Sequence, residues 1–230
     1  MMNLGRWAAS GLAVMVFAVA PDVGAQASSA FYGVSYIEVQ PSAREAVRGL
    51  LRNLRTESAK AGGHQSVEVF QRIDRNHHFA IVEIWSDESA YKANATSAHG
   101  KAFRDRLKPL LIAGLDERLH VGFEVVTNRP NAAPGAIYGI THVDFIPPRK
   151  DDGLAAIKQV VGPSRADAGN VRYDVFQQSN RPNHLTVVEA WRDMAALEAH
   201  EIASHFVAFR DVTLPMSGAL FDQRLYRLID

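Results

Sequence analysis

The segment HFAIVEIW, His78 to Trp85, is apolar on both faces when read as a strand. Phe79, Ile81 and Trp85 fall on one face, and Ala80, Val82 and Ile84 on the other. A strand of that kind needs cover on both sides. Upstream, Phe31 to Gln40 is rich in β-branched and aromatic residues and reads as another strand. Pro41 and Ser42 then open a helix, in which Val47, Leu50, Leu51 and Leu54 recur at helical spacing. Arg44, Arg48, Arg52 and Arg55 lie outside that stripe, and Gly62-Gly63 ends it. Gln65 to Ile73 alternates as a strand, Asp74-Arg75-Asn76 is a turn, and His77 to Trp85 completes a hairpin. Asp87 is an N-cap, and the spacing predicts one long helical region to about Leu111. Arg118 to Val126 is a last strand. The order β-α-β-β-α-β is the split ferredoxin-like motif.

The same pattern is written twice. Tyr32-Gly33 recurs as Tyr138-Gly139, Val69-Phe70-Gln71 as Val175-Phe176-Gln177, and Phe103-Arg104-Asp105 as Phe209-Arg210-Asp211. Glu83-x-Trp85-x-Asp87 recurs as Glu189-x-Trp191-x-Asp193, and Asp116-x-Arg118 as Asp222-x-Arg224, without a gap. Such a register is the mark of a duplication. The expected organisation is a first domain at 31–127, a linker at 128–136 (within "NRPNAAPGA") and a second domain at 137–230. The fold expected is α+β, with two ferredoxin-like repeats packed sheet to sheet. Each sheet has one face without helices, and the other copy supplies its cover. The chain is then an internal pseudo-dimer of the dimeric α/β-barrel type, which leaves room for a further homodimer.

Composition narrows the function. The net charge is zero with no basic block, so a nucleic-acid partner has no electrostatic support. There is no cysteine, which removes disulfides, thiolate metal sites and a cysteine nucleophile. An apolar fraction of 47% allows a core to stabilise the chain alone. Residues 1–27 read as a secretory signal peptide: Arg6, an apolar run from Trp7 to Ala20, then Ala25-Gln26-Ala27. An uncleaved anchor is the alternative. The expected location is periplasmic or secreted, with no stable membrane insertion after cleavage.

Glu83 and Glu189 share strand faces with apolar residues, so burial raises their pKa and makes them candidate proton acceptors. The competing reading is a buried acid paired with Arg104 or Arg210. Trp85 and Trp191 line a flat pocket or simply fill the core. His99 shares a helical stripe with Phe103 and Leu107, and His205 lies with Phe209 and Val212, so both point inward. Each is either a hydrogen-bonded core residue or a proton acceptor. The copies differ where Tyr36 meets His142 and Asn94 meets His200. If these positions line pockets, the two pockets are not equivalent. His200 and His205 are five apart, about 140° round a continuous helix, so no helical ligand pair and no metal site is expected.

Glu-x-Trp-x-Asp, followed by Ala196-x-x-Ala199-His200 and Ser204-His205-Phe206, resembles the antibiotic biosynthesis monooxygenase domain. The first copy carries Asn94 and Gly100 where the pattern has His and Phe. The resemblance implies dimers whose sheets form a barrel, and a cofactor-independent oxidation of a phenolic or quinol-type molecule by O2. Trp85 and Trp191 match the family's pocket tryptophan. Glu83, Glu189, His99 and His205 are the proton-acceptor candidates. Substrate contacts are expected from Trp85, Trp191, Arg104, Arg210, Tyr36, His142, Asn94 and His200. The partners expected are a small aromatic or hydrophobic molecule and O2, with no cofactor. The alternative is a protein of the same fold that binds a small hydrophobic ligand in the periplasm without turnover. The family's haem-degrading branch, with an Asn on its first strand, is resembled less, because FYGVSYIEVQ and IYGITHVDFI contain none.

Overall fold

A computed structural model describes residues 30–126 and 134–229. The predicted leader at 1–27 and most of the predicted linker lie outside them. The first repeat runs β1 (Phe31–Glu38), α1 (Arg44–Ser58), β2 (His64–Arg72), β3 (His78–Trp85), α2 (Glu88–Thr96), α3 (Ala98–Leu107) and β4 (Asp116–Glu124). The second runs β5 (Ile137–Asp144), α4 (Lys150–Ala166), β6 (Asn170–Gln178), β7 (His184–Trp191), α5 (Met194–Glu201), α6 (Ser204–Thr213) and β8 (Asp222–Leu228). β5 starts at Ile137, 106 residues after Phe31, and β6 and β7 keep the same offset from β2 and β3.

The expected internal pseudo-dimer is present, closed by hydrogen bonds as well as by packing. The strands form one barrel in the order β1-β3-β2-β8-β5-β7-β6-β4. β8 pairs with β5 of its own repeat and with β2 of the other, placing Phe70 opposite Leu228. β4 likewise joins β1 to β6, with His120 opposite Gln178. Both seams consume sheet edges that would otherwise invite aggregation.

The alternation seen in β3 divides three cores. Ala80, Val82 and Ile84 point into the barrel with Tyr32, Val34, Phe70, Tyr138, Ile140 and Phe176. Phe79, Ile81 and Trp85 point outward, under Val47, Leu51 and Leu54 of α1 and Tyr91 of α2. The second repeat builds the matching outer core from Leu185, Val187, Trp191, Ile157, Val161 and Phe206. Polar groups inside the barrel are few and mostly paired. Arg172 reaches across from β6 to Glu68 of β2, 2.7 Å, while also holding Asp174, 2.7 Å. His120 Nε2 lies 2.9 Å from the Thr186 hydroxyl.

The long helix predicted after each Trp is two helices. Ser97 breaks the first: its backbone is extended, and its side chain accepts from the Gly100 N–H as a new N-cap. In the second repeat Ala203 is extended at the same place. Asp87 and Asp193 cap α2 and α5 as expected, accepting from the amides of Ala90 and Ala196.

Candidate functional site

The Glu-x-Trp-x-Asp pattern places three jobs two residues apart. Glu and Trp share the outward face of β3 or β7, and Asp ends the strand by capping the next helix. Each Glu lies opposite a glycine of the neighbouring strand, Gly33 for Glu83 and Gly139 for Glu189. A Cβ on Gly139 would come within 2.5 Å of Glu189 Oε1, and one on Gly33 within 2.8 Å of the Tyr91 ring. The duplicated Tyr-Gly is therefore the space the carboxylate site needs.

In the first repeat Glu83 is buried in a cavity lined by Ser35, Asn94, Phe103, Arg104, Leu115 and Glu117. The room for a water centre is only ≈ 20 Å³, about one water. Burial raises the Glu83 pKa to about 7, and Glu117 adds to the rise. The Trp85 indole N–H and Arg104 oppose it, but that N–H makes no well-formed hydrogen bond. Arg104 is committed elsewhere, to Ala95 O at 2.9 Å and Glu117 Oε1 at 2.8 Å, so the predicted Glu–Arg pair does not form. Asn94 links Ser58 to His99, whose Nε2 lies 2.8 Å from the Asn94 amide oxygen.

The second repeat is built differently. Glu189 Oε2 accepts from the Trp191 indole, 2.9 Å, and Oε1 accepts from Gln223, 2.9 Å. Burial pushes its pKa up, while those two donors and His200 hold the rise back. His200 stacks on Trp191, with ring centroids 4.5 Å apart and planes at 26°. Its Nδ1 lies 2.7 Å from Asp167 Oδ2. Its Nε2 has no hydrogen-bond partner among the described residues and faces Glu189 Oε2 at 4.0 Å. A carboxylate only accepts, so Nδ1–H donates to Asp167 and Nε2 is the ring atom turned towards Glu189. His205 Nε2 is 3.2 Å from the same Asp167 oxygen.

Four expectations are corrected. Tyr36 and His142 lie away from the Glu–Trp sites: Tyr36 is in the barrel interior, between the guanidinium groups of Arg118 and Arg224. His142 pairs with His184 at 3.1 Å beside a polar groove that also includes Arg118. Two-residue alternation along β1 and β5 turns both side chains to the barrel side, opposite Glu83 and Glu189. Arg210 is exposed and lies over Phe221, 5.0 Å from the ring centre, so it makes no pair with Glu189. Finally, His200 and His205 do come together, with ring centroids 5.6 Å apart, because the helix between them is broken. Asp167, which neither composition nor motif singled out, completes the group from the α4–β6 connection.

A family model described as antibiotic biosynthesis monooxygenase matches residues 30–132 and 136–212. The chain belongs to this family. The Bacillus subtilis protein named "Putative monooxygenase YcnE" is 33% identical over 68 residues, 30% of this chain and 72% of that one. A solved structure titled a "Putative monooxygenase" from Fusobacterium nucleatum shares the fold at TM-score 0.75 and 15% identity, covering 88% of this chain and 94% of its own. One titled an "anthrone oxidase-like protein" does so at TM-score 0.68 and 11% identity, covering 88% and 92%. Both span nearly the whole double repeat, so the two-in-one barrel recurs in other chains of this fold. Among the antibiotic biosynthesis monooxygenase features, the full His200 and Phe206 pattern is in the second repeat only.

Proposed function

We propose that this member of the family is a cofactor-independent monooxygenase of a phenolic or quinol-type small molecule, with its working site in the second repeat. The observation that carries this reading is the row Asp167–His200–Glu189, with Trp191 stacked on the imidazole and donating to the carboxylate. It is a buried proton acceptor backed by an anion, in an apolar wall. The likeness to an anthrone oxidase-like structure supports the substrate class.

In this reading Glu189 and His200 take the ring hydroxyl proton. The anion passes one electron to O2, and the radical and superoxide combine at carbon. The resulting hydroperoxide loses water to leave a carbonyl, so one oxygen enters the product and the other leaves as water. The chain's part is to exclude water, orient the ring against Trp191 and hold the proton. Phe206 lies between His200 and Phe221, with ring centroids 4.4 and 6.3 Å away, and Phe221 lines an apolar pocket of ≈ 110 Å³ with His142, Phe209, Arg210 and Leu220, which in this reading is the way in. Ligand pockets usually measure about 300 Å³ or more, so in this reading the exposed Leu220-Phe221 segment moves aside to enlarge it. Export through residues 1–27 would place the reaction in the periplasm, which N-terminal sequencing of the mature protein checks.

The test is oxygen uptake with hydroquinones and anthrone-type phenols, with and without a chelator. Uptake that survives the chelator, falls at least tenfold in Glu189→Gln and Trp191→Phe, and persists in Glu83→Gln supports the reading. A second reading follows from the closed state of both carboxylate sites: a non-catalytic protein that binds a small hydrophobic ligand. Absence of uptake throughout, with tryptophan fluorescence quenched by the same compounds, would favour it.

A further inference from the structure

We propose that Asp167, His200 and His205 bind one divalent transition-metal ion per chain, with Glu189 orienting His200 from behind. One ligand atom from each of the three lies within 4.8 Å of the others. Asp167 Oδ2 is 2.7 Å from His200 Nδ1 and 3.2 Å from His205 Nε2. Ligands at about 2.0–2.2 Å round a tetrahedral ion sit roughly 3.3 Å from one another. The shorter separation therefore opens by about half an ångström, within side-chain movement, to admit an ion.

One orphaned nitrogen faces the cluster, and a second lies behind it, on the Glu189 side. His205 Nε2 is buried and faces Asp167, yet makes no aligned hydrogen bond. His200 Nε2 is also buried and unpartnered. Ligation through Nδ1 fixes the proton on Nε2, which then donates towards Glu189 Oε2, now 4.0 Å away. That is the carboxylate–histidine–metal arrangement, in which the outer carboxylate holds the ring in one tautomer. Exposure is graded as a binding site requires: the His200 side chain is 0% exposed, while Asp167 and His205 keep 25% and 22%. The ion enters from that open side, and water completes its shell. Two imidazoles and one carboxylate suit Zn2+, Co2+, Ni2+ or Cu2+, not Mg2+ or Ca2+.

The first repeat supplies the internal control. Its equivalents are Ala61, Asn94 and His99, a single good ligand, so the stoichiometry is one and not two. The inference does not depend on the monooxygenase reading. An ion on Nδ1 keeps the proton on Nε2 and so removes His200 as an acceptor, which makes the loaded protein the slower one in that reaction.

The experiment uses the whole chain without a histidine tag, stripped with chelator, then titrated with Co2+ by visible absorption and with Zn2+ by calorimetry. One site per chain is expected, with the visible bands of a four- or five-coordinate Co2+. Asp167→Ala and His205→Ala, both at partly exposed positions, should each weaken binding a hundredfold or more. Glu189→Gln should weaken it about tenfold, and His99→Ala should change nothing. Circular dichroism on every variant separates a lost site from a lost fold. Absence of stoichiometric binding to the folded wild type, or binding that survives both Asp167→Ala and His205→Ala, overturns the proposal. Absence of binding leaves the oxygen uptake expected of the metal-free protein unchanged, so the two readings fail separately.

Discussion

Glu83→Gln should make the protein more stable, by a margin that grows as pH rises from acid to alkaline. Glu83 is buried, and no aligned hydrogen bond reaches it from Trp85. Its pKa stands near 7, against 4.5 for an ordinary glutamate. The folded state therefore holds a proton that the unfolded chain releases, and stability falls as pH rises from about 4.5 through 7. Integrating the two titrations gives a cost of about 0.8 kcal/mol at pH 5 and about 3.3 at pH 8. Gln keeps the shape without the titration. The variant minus wild-type difference should then grow by roughly 2.5 kcal/mol between pH 5 and pH 8. For a chain of this size that is about 5–10 °C in Tm. Thermal unfolding followed by circular dichroism at both pH values reads it directly. Parallel pH profiles for the two proteins would refute the reasoning, because a paired or solvated Glu83 has no such cost.

The two tryptophans offer a comparison inside one molecule. Trp191→Phe deletes the donor to Glu189, whereas Trp85→Phe deletes an N–H without a partner. Urea unfolding should show Trp191→Phe costing about 1.5–3 kcal/mol more, the worth of a hydrogen bond to a buried charged group. Arg172→Leu strips the guanidinium from Asp174 and Glu68 inside the barrel and should cost about 3–5 kcal/mol by the same assay. His120 is held neutral in the barrel, its pKa driven down to about 3 mainly by burial. The unfolded chain therefore binds the extra proton, and stability is lost as pH falls below 6.5. Wild type should lose roughly 2 kcal/mol more than His120→Gln between pH 6.5 and pH 4.5, and equal losses would show that His120 is solvated.

Much of the architecture was legible because it is periodic. Phe79, Ile81 and Trp85 against Ala80, Val82 and Ile84 announced a strand covered on both faces, and those two sets now lie in two different cores. The 106-residue repeat named the source of the second cover. The site was legible only in part. Glu83 and Glu189 were recognisable as acids on apolar faces. Tyr36 and His142 fall on the barrel side, away from Glu83 and Glu189, and alternation relates the faces of two strands only once the strands are in register. An unbroken helix would keep His200 and His205 apart, and the one local sign of the break is Ser97, a strong N-cap residue in the first copy. Asp167 went unseen as a single acid on a connection. The one signal was comparative: the second repeat gains Asp167 for Ala61 and His200 for Asn94 together.

What the chain determines by itself is whatever repeats along one dimension: the element order, the duplication, the buried faces and the helix caps. Side-chain periodicity and capping are local, and they survive in any arrangement of the elements. The tertiary structure decided what depends on angles and registers between distant segments. It joined β2 to β8 and β4 to β6, turned Tyr36 into the barrel, and broke the helix so that His205 meets His200. It also brought Asp167 to His200 across 33 residues of chain, and to His205 beyond it. Contacts of that kind depend on where a helix stops and how a sheet closes, and no pattern along the chain states either.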